Sequence, residues 1–173
     1  MPVSDANVLF LAHRQPVYRY LCRILGTAEA ARDLTQEVFL RVARADVPDS
    51  DSDGHRAWVF RIARNLALNH LRDGQRRPRA VPLAERAEPA TQELHVALDQ
   101  ALAALPDLER DVFLMRETAG LSYQEIADAC DLTSDAVRSR LHRARVQLRA
   151  ALDPCFSIHH QRGVRLVTGD HHD

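Results

Sequence analysis

Residues 121–152 read LSYQEIADACDLTSDAVRSRLHRARVQLRAAL, and this stretch decides the fold. Ser122 followed three residues later by Glu125 is a capping box: the hydroxyl accepts from the amide of residue 125, and the carboxylate reaches back to the amide of residue 122. The first helix runs through Ile126 to about Ala129, and Cys130, Asp131 and Leu132 make a turn. Thr133 is an N-cap for the second helix, with Asp135 in the first turn, where the helix dipole favours an anion. Val137, Leu141, Ala144 and Leu148 then recur at helical steps and form one apolar face. Arg138, Ser139, His142 and Arg143 fall together on another face, with Arg145 and Arg149 further along. A short helix, a tight turn and a second helix with Arg and Ser on its exposed face is the pattern of a DNA-reading helix-turn-helix. Arginine can grip guanine with two hydrogen bonds, and serine can reach a base edge or a phosphate. The plainer alternative is a solvated, Arg-rich surface helix.

The rest of the chain points the same way. Its 173 residues suffice for one domain or two small ones. It is 46% hydrophobic, rich in Ala and Leu, and only 5% aromatic, which favours helices over sheets. No apolar run reaches the length of a membrane span, and the first five residues do not resemble a signal peptide. Cys22, Cys130 and Cys155 are odd in number and far apart, which fits a reduced, cytoplasmic compartment. All 23 basic residues are arginine, yet the formal net charge is −1. An autonomous DNA binder usually carries a basic excess, because neutralised phosphates supply most of its affinity. Local Arg faces without that excess suggest a DNA-reading subunit of a larger machine.

Ahead of the helix-turn-helix, Val8 to Leu25 reads as helix, with Leu11, Val17, Leu21 and Ile24 as its buried face and Pro16 expected to start a second helix or kink the first. Gly26 stops it and Thr27 caps the next. Glu29 to Ala45 is amphipathic: Ala31, Leu34, Val38 and Val42 face inward, and Asp33, Gln36, Glu37 and Arg41 form a polar face that on physical grounds alone is simply solvated. The acidic loop that follows matches an EF-hand at Asp49, Asp51, Asp53 and Gly54, but Phe60 stands where the bidentate Glu belongs, so calcium binding is not expected. His55 to Asp73 is a further helix with Val59, Ile62, Leu66 and Leu71 as core. Its Trp58, Arg61, Arg64, Asn65 and Arg72 form the kind of basic, aromatic-bearing surface that binds single-stranded nucleic acid, unless Trp58 is a core residue among solvated arginines. Pro78, Pro82 and Pro89 mark a linker over residues 75–93. Two supporting helices, Leu94 to Leu105 and Leu108 to Thr118, lead into the helix-turn-helix. The tail, 153–173, carries Cys155, His159 and His160, a loosely spaced set that could hold zinc; no other cofactor is expected. Neither a phosphate loop, a nucleophile elbow nor a paired-carboxylate site occurs, so the chain does not read as an enzyme and no small-molecule substrate is expected.

Two stretches together resemble one family. ARDLTQEVFLRVAR followed by AWVFRIARNLALNHLR is similar to the second conserved region of bacterial sigma factors of the small extracytoplasmic-function (ECF) group. LDQALAALPDLERDVFLMRETAGLSYQEIADACDLTSDAVRSRLHRARVQL is similar to their fourth. The resemblance implies an all-α fold of two small helical domains, region two over 1–74 and region four over 94–152, joined by a flexible linker. It implies core RNA polymerase (beta-prime and beta subunits) and promoter DNA as partners, with Asp33, Gln36, Glu37 and Arg41 docking on the beta-prime coiled coil. Asp49, Asp51, Asp53 and His55, with Trp58, Arg61, Arg64, Asn65 and Arg72, would open the minus-ten element and hold a flipped base. Ser134, Arg138, Ser139, Arg140, His142 and Arg143 would read the minus-thirty-five element. It also implies an anti-sigma factor that holds the protein inactive, at the membrane in some cases. Asp131 and Asp135 stand where the family often has Gly, the base-capture loop is unusually acidic, and the Cys/His tail lies outside the common pattern. A conventional operator-binding regulator would need a dimerisation or ligand-sensing element in place of Val8 to Asp73; a metal sensor would rest on the tail.

Overall fold

The computed structural model describes the backbone of residues 2–74 and 89–164 and the side chains of residues 6–74 and 94–153. The described residues form seven helices and no strand: α1 (Pro2–Leu25), α2 (Ala28–Arg44), α3 (Ser52–Gly74), α4 (Pro89–Ala103), α5 (Asp107–Glu117), α6 (Tyr123–Cys130) and α7 (Ser134–Val164).

The first three helices pack on one another. α1 passes through Pro16 as one helix, so no second helix starts there. The proline forfeits its bond to the carbonyl of Ala12, but Ala12 is exposed and water can take the missing donor's place. Leu9, Val17, Tyr20, Leu21, Ile24 and Leu25 are buried, whereas Leu11, expected on the inner face, is 76% exposed. Six helical steps separate it from Val17, which places it about 120° around the helix from that core position. Gly26 adopts a left-handed φ of 71° and ends α1; Thr27 Oγ1 then accepts from the Ala30 amide to start α2. Ala31, Val38 and Val42 are buried as expected, Leu34 is only half-buried, and Phe39 joins them, meeting Phe10 edge-on at 5.1 Å. In α3 the fully buried positions are Ala57, Val59, Phe60, Ala63 and Ala67, while Ile62, Leu66 and Leu71 are half-buried.

The last four helices form the second unit, in which α4, α5 and α6 all pack on α7. α4 starts at Pro89 rather than Leu94. Proline is well tolerated in a first helical turn, where its missing N–H has no partner anyway. Residues 75–88 of the expected linker lie outside the described residues. α7 runs on to Val164, past the expected end at Leu152. As at Pro16, one proline, here Pro154, costs a bond without ending a helix whose flanks are both helical. The two units are in contact, α3 against α6 and α1 against α5, so that their apolar interiors join in one core.

Candidate nucleic-acid interface

The helix-turn-helix is built by local devices. Ser122 Oγ accepts from the Glu125 amide at 3.2 Å, and Glu125 accepts from the Ser122 amide at 2.6 Å. Asp131 takes the left-handed conformation at φ 57°, ψ 52°, which its short polar side chain tolerates, and so turns the chain between α6 and α7. Thr133 Oγ1 accepts from the Ala136 amide at 3.2 Å and opens α7. Ser134 donates to Gln124 Oε1 at 2.9 Å, tying the start of α7 to α6. Val137, Leu141, Ala144 and Leu148 are all buried.

The opposite face of α7 presents Arg138, Ser139, His142 and Arg143 to solvent, and the structure brings these four together. Arg138 lies 6.0 Å from the centroid of the Tyr123 ring and pairs with Asp135 at 2.9 Å. Arg140 turns inward. Its Nη1 donates to Glu109 Oε1 at 3.0 Å, and Arg143 Nη2 reaches the same oxygen at 3.0 Å. Glu109 is buried at the start of α5 and braces the reading helix from behind. Its burial would raise the carboxyl, but the hydrogen bonds from Arg143 and its own amide, with the charges of Arg140 and Arg143, outweigh this and hold it below its ordinary value. Glu109 lies 31 residues from Arg140, and no local pattern announces the pair.

The candidate strand-binding face of α3 is differently placed. Arg64 Nε donates to Asp111 Oδ2 at 2.9 Å, and the buried Tyr20 hydroxyl donates to Asp111 Oδ1 at 3.3 Å. Burial pushes the Asp111 carboxyl up, opposed by Arg64. Arg61 donates through Nε to the Asp128 carbonyl at 3.1 Å, and Arg56 donates to the Ala119 carbonyl and stands 3.5 Å from Glu125. Arg23 completes this seam with a 2.5 Å ion pair to Asp99. Trp58 is half-buried against the core, while Asn65 and Arg72 are exposed. Sequence reasoning missed Tyr20, Arg23, Arg56, Asp99 and Asp111, whose partners are all distant along the chain.

In the acidic loop, Asp51 caps α3 by accepting from the Gly54 amide at 2.8 Å, and His55 Nε2 lies 2.9 Å from the Pro48 carbonyl oxygen. Asp49 and Asp53 are exposed. A Cβ on Gly54 would come within 2.7 Å of Ser50 Cβ, so the loop folds closely over this glycine. On α2, Asp33, Gln36 and Arg41 are exposed, and Arg41 pairs with Glu37 at 2.7 Å. Gln36 also borders a shallow cavity of about 440 Å³, lined by Arg14, Tyr18 and Arg32 among others. The side chains of Cys155, His159 and His160 lie outside the described residues. Among the described residues no group of ligands could hold a metal ion, and no helix is long and apolar enough to cross a membrane.

Residues 9–77 match the family description Sigma-70 region 2, and residues 95–148 match Sigma-70, region 4. The chain is 30% identical over 166 residues to the RNA polymerase sigma-H factor of Pseudomonas aeruginosa, covering 86% of each chain. It is 32% identical to the ECF RNA polymerase sigma factor SigC of Mycobacterium tuberculosis, over 83% of this chain and 80% of that protein. Among solved structures it is similar to CnrH in complex with the cytosolic domain of CnrY, with a TM-score of 0.62 and 25% identity over 87% of this chain and 89% of that one. The sigma factor RpoE of Bartonella quintana, in complex with the anti-sigma factor NepR, shares the fold, with a TM-score of 0.66 and 22% identity over 87% of this chain and 98% of that one.

Proposed function

Because this chain belongs to the sigma-70 family, in its ECF group, and so is a promoter-directing transcription initiation factor rather than an enzyme, we propose a division of labour between its two helical units. α2 docks on core RNA polymerase through Asp33, Gln36, Glu37 and Arg41. α3 and the loop before it open the minus-ten element. Taking a base out of the stack costs a few kcal/mol, which stacking on Trp58 and phosphate contacts from Arg61, Arg64 and Arg72 would offset. α7 reads the minus-thirty-five element with Arg138, Ser139, His142 and Arg143, while Ser134 and Arg140 set its position. The observation that carries this reading is the shape of α7: four polar side chains share its exposed face, and its other face is wholly buried.

The protein works in the cytoplasm, where polymerase and promoters are. An anti-sigma protein is its natural restraint, since the RpoE relative was solved with one. A zinc site at Cys155, His159 and His160 is a separate proposal, resting on residue type alone, and metal content of the purified protein tests it. The division of labour is tested by run-off transcription with core polymerase on a promoter library, together with a permanganate footprint. Specific initiation and strand opening only with core enzyme support it; tight, specific duplex binding and full activity without core enzyme refute it.

A further inference from the structure

One acidic residue stands on a face suited to DNA. Asp135, Arg138, Ser139 and His142 follow one another at steps of three, one and three residues, so Asp135 heads the same stripe of α7 as the proposed base readers. Its side chain is 88% exposed, and it is the one acid in the sequence between Ser134 and Leu152. Bringing a carboxylate up to a polyanion costs affinity. The start of the helix does not depend on it: Thr133 Oγ1 caps α7 on the Ala136 amide, and Ser134 ties α7 to Gln124. The helix dipole favours an acid in the first turn, but it does so equally on a side turned away from DNA. The ion pair of Asp135 with Arg138 is so exposed that it adds little stability.

The chemistry of the groove supplies a reason for the acid. An ionised carboxylate only accepts hydrogen bonds. In the major groove, guanine offers the acceptors O6 and N7 and thymine the acceptor O4, all of which repel a carboxylate. Adenine sets its N6 amino group beside the acceptor N7, whereas cytosine offers its N4 amino group with no acceptor of its own beside it. Arg138 is the complement, donor only and suited to guanine O6 and N7. The two side chains are held together. Arg138 Nη1 donates to Asp135 Oδ1 at 2.9 Å, and the Arg138 guanidinium is 6.0 Å from the centre of the Tyr123 ring. Ser139 Oγ donates to the Asp135 carbonyl at 2.9 Å from the next turn. An acceptor and a donor fixed side by side match the donor and acceptors that a cytosine–guanine pair presents at its major-groove edge. The N-terminal residues of a recognition helix are the ones that reach base edges.

We propose that Asp135 is a specificity-determining residue: with Arg138 as its partner, it reads one cytosine of the minus-thirty-five element by accepting from the N4 amino group. This role rests on the reading of α7 proposed above. The charge of Asp135 rejects the other bases and lowers affinity for DNA in general, so strength of binding is given up for choice of sequence.

The test is made on the holoenzyme, with core RNA polymerase and a promoter library randomised across the minus-thirty-five element; bound promoters are recovered and sequenced. Asp135→Ala, Asp135→Asn and Arg143→Ala are compared with the native chain, and circular dichroism checks folding. Where Asp135→Ala loses helicity, Asp135→Asn, of the same shape, carries the test. The native protein should select cytosine at one position. Asp135→Ala should weaken that selection about tenfold, keep the other preferences, and bind poor promoters more tightly, most clearly at low salt. Asp135→Asn keeps an acceptor and adds a donor, so it should admit adenine beside cytosine there. A native sequence profile in the folded Asp135 variants, with a base preference lost in Arg143→Ala, overturns the role of Asp135 and leaves α7 as the reading helix. A weakened position whose native base is not cytosine overturns it as well. An unchanged profile in the Asp135 variants and in Arg143→Ala alike overturns the assignment of α7, and the role of Asp135 with it.

Discussion

Replacing Glu109 by glutamine keeps the side chain's shape and removes one buried charge. In the native protein its Oε1 accepts from Arg140 and Arg143, each at 3.0 Å. A hydrogen bond to a charged partner contributes ~1.5–3 kcal/mol when shielded from water. The Arg140 side chain is 26% exposed and keeps much of that, whereas Arg143 is 52% exposed and, screened by solvent, contributes about 0.5 kcal/mol. Glutamine retains an acceptor oxygen, so about half of the sum is lost, ~1–2 kcal/mol. For a helical unit of this size each kcal/mol lowers the melting midpoint by ~4–8 °C. The sign of the pH dependence follows from the lowered carboxyl: the unfolded chain takes up the proton first. The stabilisation is therefore present above the ordinary value of 4.5 and is lost as pH falls through the lower folded value. Thermal melts of Glu109→Gln and native protein should differ at neutral pH and converge in acid. Equal melting at neutral pH would refute the claim that Glu109 braces the reading helix.

Arg143→Ala should lose about 1–3 kcal/mol of discrimination at one position of the minus-thirty-five element, read by binding to a set of duplex variants; an equal loss on every sequence makes Arg143 a phosphate contact. Asp33→Arg or Glu37→Arg should abolish transcription by core polymerase while leaving circular dichroism unchanged, since Asp33 is exposed and Glu37 pairs with Arg41 at the surface; retained activity would move the docking face elsewhere. Cys130 is buried beside Met115, and burial pushes its thiol up to about 11, so iodoacetamide at neutral pH should label it slowly in folded protein and rapidly in urea. Fast labelling in the folded state would show that this part of α6 is open.

The helix-turn-helix was legible because its signals are local. Ser122 and Glu125, Asp131 and Thr133 each act within a few residues of themselves, so sequence spacing alone carries their geometry. α2 was legible for a related reason, its branched residues marking a clean inner face. α3 was less so. Its buried positions are largely alanines, which occur on any helix face, and the larger Ile62, Leu66 and Leu71 sit only half-buried around them. Leu11 misled because an exposed leucine near a true core stripe is ordinary in a helical protein. The seam between the units could not be read at all. Arg64 and Asp111 stand 47 residues apart, Tyr20 and Asp111 91 apart, and an arginine or aspartate on a helix looks the same whether water or another helix answers it.

The length of α7 gives the reading helix a lever. Its 31 residues make a rod of ~46 Å at ~1.5 Å of rise each, anchored over its first half by α4, α5 and α6. A load at the far end, near Val164, acts with a long mechanical advantage on the end that meets DNA. A tilt of ~10° at the anchor sweeps the far end, ~23 Å beyond it, through ~4 Å, and conversely a small displacement there is geared down to a fine angular adjustment of Arg138 to Arg143 in the groove. The last turns of α7 thus continue the same helix as its most sequence-sensitive contacts, with Pro154 as the one point of weakened backbone bonding between them.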